Sequence, residues 1–366
     1  MHDETGQRLA PELRTHAMEV FEQLNEEHPD TVLFISRPVL RPEVVQASLA
    51  DVDADGIVVS GQTEHGGTVG GRLAFDERPS TMPAVRAQLL SILERTRTAA
   101  GSSVPYTSVE LELRKAADQG PWLVQVKRSK KLNPRLLELT FKGAPRVFTP
   151  VGLDQSFYVV VPRERGHTQW ITPTLREHDL DRMPAEERPY GAYYAVRQYR
   201  PDDGEIDLWI ILHGNEGTVS NWARTAQPGD RAALFGPRSS FEWPADARRV
   251  ILLGDETAFA AVAAIAESMP LSVDVEIYVE ASAASQIIDF GRSDRVRTHW
   301  LFRGEDAPGS GSRLLDALCA QEIDEGTHVF AACEATQARA IRQYLRVNCG
   351  LPPARRRVTA YWRWHV

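Results

Sequence analysis

The chain has 366 residues, 42% of them hydrophobic and 25% charged, which is too long for one core and suits two or three domains. Its formal charge of −8 argues against nucleic acid or an anionic membrane surface as the main partner, since neither attracts an acidic body. No window approaches the ~20 apolar residues of a membrane span, and the polar, acidic stretch after Met1 shows no signal peptide, so the expected compartment is the cytoplasm.

Residues 8–29 carry Leu13, Ala17, Val20, Phe21 and Leu24 on one helical face. DVDADGIVVSG, residues 51–61, reads as a strand entered through an Asp-Gly turn, and residues 81–97 as an amphipathic helix opened by Thr81. These make a small α+β unit, assigned to residues 1–115, and the Gly- and Ser-rich TAAGSSVP that follows its second helix is the expected linker. From Trp122 to Pro237, short alternating runs are separated by the turn signals FKGAP, RPDDGE and QPGD, the pattern of an antiparallel barrel or sandwich over 116–243. Over 244–366 the texture changes to VILLG, then the helix ETAFAAVAAIAESM, VDVEIYVE, RLLDALCAQE, THVFAACE and TQARAIRQYLRVN. Strand alternating with helix implies a parallel sheet with crossovers.

Several stretches carry chemistry. Gly254-Asp255-Glu256-Thr257 joins a buried strand to a helix start, where free N–H groups and the dipole favour a phosphate. Two carboxylates there oppose one and the Gly-x-Gly-x-x-Gly fingerprint is absent, so a cap by Asp255 or Thr257 explains the stretch as well. Gly217, Thr218, Val219 and Ser220 form a turn with hydroxyls that could cradle a pyrophosphate, or else a turn N-capped by Ser220 with Trp222 in the core. KRSKK, residues 127–131, reads as a solvated strand face or a cationic edge. His16, His28 and His65 have no metal-ligand spacing, and no metal site is assigned. Cys319, Cys333 and Cys349 lack Cys-x-x-Cys pairing, which suggests neither disulfide nor zinc, and each reads as a small buried hydrophobe. AYYAVRQY, residues 192–199, places Tyr193 and Tyr194 on a strand able to hold a flat ring, with Arg197 downstream.

Taken in order, WLVQVKRSKKLNPRLLELTF, VRQYRPDDGEIDLWIILHG, VSNWARTAQPGDRAALFGPRSSF, VILLGDETAFAAVAAIAE, GSGSRLLDAL, FAACEATQARAIRQYL and YWRW resemble the siderophore-interacting protein family, from about residue 120 to the end. The first ~100 residues resemble, more loosely, the small domain of unknown function found beside haem-handling split barrels. The resemblance implies a Greek-key flavin barrel, a nicotinamide-binding α/β domain, FAD and NAD(P)H as cofactors, and a ferric siderophore or related chelate as the small-molecule substrate. Electrons would pass from nicotinamide through flavin to Fe(III).

Carried over by position, Tyr194 is the ring that packs on the isoalloxazine. Ala192 stands where the family has the phosphate-pairing arginine, and Ala195 where it has a hydroxyl; Arg188 and Arg197 are the nearby substitutes. Gly217 to Ser220 with Trp222 match the pyrophosphate loop, and Arg238 lies in the Gly-Pro-Arg element, whose next residue is Ser239 instead of glycine. Gly254 to Thr257 match the nicotinamide loop, and Trp362 belongs to the terminal YWRW. Cys333 replaces a glycine that borders the nicotinamide site, where its side chain would crowd the cleft, and Tyr158 replaces a lysine. The catalytic residues are not identified. Two other readings fit these departures: a scaffold turned to a non-redox cyclisation or rearrangement in specialised metabolism, and a haem- or chelate-binding protein without turnover.

Overall fold

The computed structural model describes residues 8–101, 104–118, 120–146, 152–184, 186–213, 218–239, 241, 247–290 and 294–364. The chain divides into two compact units, Met1–Lys115 and Ala116–Val366. In the first, helices α1 (Pro11–Glu27) and α2 (Pro29–Ser36) precede an antiparallel sheet of β1 (Val44–Asp53), β2 (Gly56–Thr63) and β3 (Thr68–Ala74), followed by α3 (Met82–Ala100) and α4 (Ser108–Asp118). The expected first helix is α1, and α2, which was not expected, follows it at once; Pro29 brings no N–H to continue the ladder, and His28 serves as C-cap of α1 and N-cap of α2. Thr81 caps α3 by accepting from the Ala84 N–H at 3.3 Å. Phe21, Val32, Ile35, Ile57, Val59 and Val85 fill the core.

The expected linker is instead a connection inside this unit. Gly101, at φ 74°, ends α3, and beyond it Arg97 donates to the carbonyls of Val104 and Pro105 and pairs with Glu110 of α4 at 2.6 Å. Hydrogen bonds from Arg97, against the opposing effect of burial, hold the Glu110 carboxyl at about 2. This ion pair ties the end of α3 to α4.

In the second unit, the described residues place six strands in a closed barrel of order β4-β5-β8-β7-β6-β9: β4 (Trp122–Asn133), β5 (Leu136–Lys142), β6 (Ser156–Val161), β7 (Tyr190–Arg200), β8 (Glu205–Ile211) and β9 (Arg231–Arg238). Val124, Leu139, Phe141, Phe157, Val159, Leu208, Ile210 and Leu234 fill its interior at alternate positions, as the period of two requires. The residues of KRSKK are exposed, with Lys127 paired to Glu205. Helix α5 (Glu177–Arg182) lies in the β6–β7 connection, and α6 (Val219–Thr225) buries Val219 and Ala223 in the barrel core.

A parallel sheet of order β12-β11-β10-β13-β14 follows, built from β10 (Arg249–Gly254), β11 (Asp274–Ala281), β12 (Val296–Phe302), β13 (Thr327–Glu334) and β14 (Arg356–Trp362). Helix α7 (Phe259–Ser268) covers one face, and α8 (Arg313–Cys319) with α9 (Ala335–Val347) the other. β12 and β14 are the strands that pattern reading passes over. They are edges, half exposed, and lack the continuous apolar run of the buried centre. Leu136, Ala195, Trp209 and Phe241 share one core with the alanines of α7, so barrel and sheet are packed together.

Candidate functional site

The sequence places Tyr193 and Tyr194 next to each other, and the pleat of β7 sends them to opposite faces. Tyr193 is half exposed, opposite Tyr158 in register, with ring centroids 5.0 Å apart. The Arg238 guanidinium lies 5.1 Å over the Tyr193 ring, donates to its hydroxyl, and pairs with Glu177 at 2.7 Å; the same hydroxyl donates to Glu177 at 3.3 Å. Tyr158, where the family resemblance led us to expect lysine, fills the space over Gly191, since a Cβ at that glycine would sit 2.2 Å from the Tyr158 hydroxyl.

Tyr194 turns the other way, opposite Phe157, and packs half-buried against the barrel core beside Ala192. Burial pushes its phenol well above the ordinary range, and among the described residues no partner engages its hydroxyl. Ala195 is buried in the core shared with α7, so the position expected to offer a hydroxyl to a ligand belongs to packing. Arg197 also departs from expectation. It pairs with both carboxylate oxygens of Glu267 at the end of α7, at 2.7 and 2.5 Å, and lies 5.0 Å over the Trp209 ring. Its charge joins barrel to sheet and is committed there.

Gly217 lies outside the described residues. Thr218, not Ser220, is the N-cap of α6, its Oγ1 accepting from the Asn221 N–H at 3.4 Å. Ser220 is fully buried, accepts from the His213 N–H at 3.1 Å and donates to the His213 carbonyl at 3.4 Å. Val219 is in the barrel core and Trp222 packs half-buried against it. Both hydroxyls of the expected cradle are therefore engaged within the protein.

At the carboxyl edge of the parallel sheet, Gly254 lets the single 3-10 turn Glu256–Ala258 fold back on its strand; a Cβ there would lie 2.6 Å from that of Ala258. Asp255 is buried and accepts from the Thr257 N–H (2.9 Å), the Thr257 hydroxyl (2.5 Å), the Glu334 N–H (3.1 Å) and the Trp362 indole N–H (2.7 Å). Burial still drives its carboxyl upward against these bonds. Glu256 faces the buried Arg303, with contacts of 2.8 and 2.6 Å. Both acids of the loop are thus consumed inside the protein, which removes the repulsion that spacing alone predicted.

Three further residues at this edge were missed: Glu334, which caps α9, and the pair Glu280 and Arg303, buried at the ends of β11 and β12. Glu280 lies 3.7 Å from Arg303, neither of its oxygens has a hydrogen bond, and burial lifts it to about 7. A glutamate ending the apolar run VDVEIYVE was the available signal. Cys333 does not crowd the cleft; it is fully buried in the apolar layer with Ile251, Leu253, Ala338 and Ile341. Trp362, tied to Asp255, meets Trp364 edge-on with centroids 6.0 Å apart.

A closed Greek-key barrel packed on a parallel five-stranded sheet, with an aromatic strand on the barrel and a glycine-acid turn at the sheet's carboxyl edge, defines the ferredoxin-reductase-like class of flavin and nucleotide proteins. Residues 125–241 match the siderophore-interacting FAD-binding domain and residues 247–365 match the siderophore-interacting protein family, so over these residues the chain belongs to that family. It is 26% identical over 244 residues to the ferric vibriobactin reductase of Vibrio cholerae, covering 66% of this chain and 89% of that one. To the ferric acinetobactin reductase of Acinetobacter baumannii it is 28% identical over 195 residues, 53% of this chain and 68% of that protein. A siderophore utilization protein from T. fusca superposes with a TM-score of 0.59 at 26% identity, over 67% of this chain and 94% of that structure. Among the described residues no helix is long and apolar enough to cross a membrane.

Proposed function

We propose that the protein is a flavin-dependent NAD(P)H reductase acting on a ferric siderophore, in the cytoplasm where reduced nicotinamide is supplied. The observation that carries this reading is the half-buried Tyr194, whose flat ring and partnerless hydroxyl stand on β7 within the matched FAD-binding domain. The residues fit the ring of a flavin better than its phosphates: Tyr194 offers a platform, whereas Ala192 offers only a methyl group and Arg197 is committed to Glu267. Bound there, a flavin would accept two electrons from a reduced nicotinamide and release them singly to Fe(III).

The chain's own share is positioning. Tyr194 orients one face of the ring, and the head of α6, held by Thr218 and Ser220, presents backbone N–H groups to the diphosphate. Gly254 to Thr257, braced through Asp255 to Trp362, shape the nicotinamide side of the cleft with their charges turned inward. Arg238, Tyr193 and Tyr158 form a polar aromatic patch on the outer face of β6 and β7.

The test is optical. Purified protein is expected to bind FAD, absorb near ~450 nm, bleach with NADH or NADPH, and then form Fe(II) from a ferric catecholate in the presence of a ferrous trap. Protein that stays colourless after FAD titration would overturn the redox reading and leave a non-redox role for the scaffold.

A further inference from the structure

Glu280 stands one residue before the end of β11, fully buried, and among the described residues neither of its oxygens has a hydrogen bond. It faces the guanidinium of Arg303, just past the end of β12 and itself buried, at 3.7 Å. The same guanidinium donates to Glu256 at 2.8 Å and lies 2.6 Å from its other oxygen. One buried cation therefore serves two buried carboxylates, the nearer through a hydrogen bond and the farther through charge alone. Glu256 belongs to the turn Gly254–Thr257, so the state of Glu280 is felt at that turn through Arg303.

The other charged or titratable groups around Glu280 come from three neighbouring elements. Asp255, after β10, spends both oxygens on the donors of Thr257, Glu334 and Trp362. Arg313, at the head of α8, pairs with Asp306 and donates to the Ser310 carbonyl at 3.3 Å. On β13, burial holds the Cys333 thiol above its ordinary range and so neutral, and Glu334 is spent as the cap of α9. None of these supplies Glu280 with a hydrogen bond. A carboxyl without water or a donor favours its neutral form, and while Glu280 keeps its proton Arg303 neutralises Glu256. When that proton leaves, two negative charges share one positive charge away from solvent, and the turn stands in a net negative field.

We propose that Glu280 is a positioning residue that makes dinucleotide binding at Gly254–Thr257 proton-linked, with the ligand held tightly when Glu280 is neutral and weakly when it is ionised. The proposal rests on the reading of this turn as the nicotinamide site. Its sign follows from the ligand, whose diphosphate is anionic. Binding favours the uncharged carboxyl, so the complex takes up a proton and, by reciprocity, affinity falls as pH rises. Burial lifts the Glu280 carboxyl to about 7, which sets the fall across the neutral range.

The experiment titrates NADH and NADPH calorimetrically into the full-length protein. The sample is kept anaerobic with any bound flavin already reduced, so that no electrons move. Measurements at pH 6 and pH 8.5, each in two buffers of different ionisation enthalpy, give the affinity and the protons exchanged. About tenfold weaker binding is expected at the higher pH, with net proton uptake near neutrality. In Glu280→Gln, which imitates the neutral acid, affinity should stay at its low-pH value throughout and the proton uptake should vanish. Proton uptake by the unsubstituted protein is read without any variant, so it stands even where Glu280→Gln fails to fold. Binding without proton uptake, or the same uptake in Glu280→Gln, would overturn this proposal alone. Absence of binding at either pH would overturn the nicotinamide reading, and this proposal with it.

Discussion

Ala192 shows how one side chain sets the strength of a ligand grip without altering the fold. It is half-buried at the edge of the barrel core, where an arginine can lay its stem on apolar surface and reach water with its head. A charge-assisted contact contributes about 1.5–3 kcal/mol, so Ala192→Arg is expected to tighten FAD binding roughly tenfold to a hundredfold in a fluorescence titration. Unchanged affinity would place the phosphates elsewhere. Ala195→Thr should behave differently. Ala195 is packed with Leu136, Trp209 and the alanines of α7, so a hydroxyl there is both oversized and unsatisfied. Thermal unfolding should show a loss of about 1–3 kcal/mol with no gain in flavin affinity.

Among elements, the contact between β7 and α7 joins barrel to sheet. Arg197 contributes two hydrogen bonds to Glu267 and a stacked guanidinium over Trp209, and its side chain is only 16% exposed while that of Glu267 is 47% exposed. A pair so open on one side is weakened by solvent, so Arg197→Ala is expected to cost about 1–2 kcal/mol, most of it from the lost stacking and packing. Urea unfolding measures that cost. The FAD dissociation constant of the folded variant should match that of the parent protein, and a large rise would return Arg197 to the cofactor site.

For the molecule as a whole, the buried charges at the carboxyl edge tie stability to pH. Asp255, Glu256 and Glu280 surround one buried Arg303, which bonds Glu256 closely and leaves Glu280 at 3.7 Å. Burial raises the folded Glu280 carboxyl from 4.5 to about 7, against the lowering pull of Arg303. The folded state therefore holds this proton more tightly than the unfolded chain. The contribution is fully present below pH 4.5 and is lost as pH rises through about 7. A shift of this size corresponds to about 3 kcal/mol, so Glu280→Gln should flatten the fall in stability across that window and be the more stable form at pH 8 by roughly this amount. Parallel stability–pH curves for the two proteins would refute it.

The order of architectures was legible in the amino-acid sequence, because periods of two and of 3.6 are local and survive whatever they pack against. So was the turn before α6 as a helix start, since a hydroxyl before an apolar run caps a helix in any context. Edge strands β12 and β14 were not, because an exposed edge needs no continuous apolar run. What tertiary structure alone decided was where charges and sulfurs go. The inward turn of Asp255 and Glu256, the commitment of Arg197 to Glu267 and the burial of Cys333 all join residues far apart in the chain. A carboxylate or thiol takes its role from the partner across the fold, and that partner is chosen by packing.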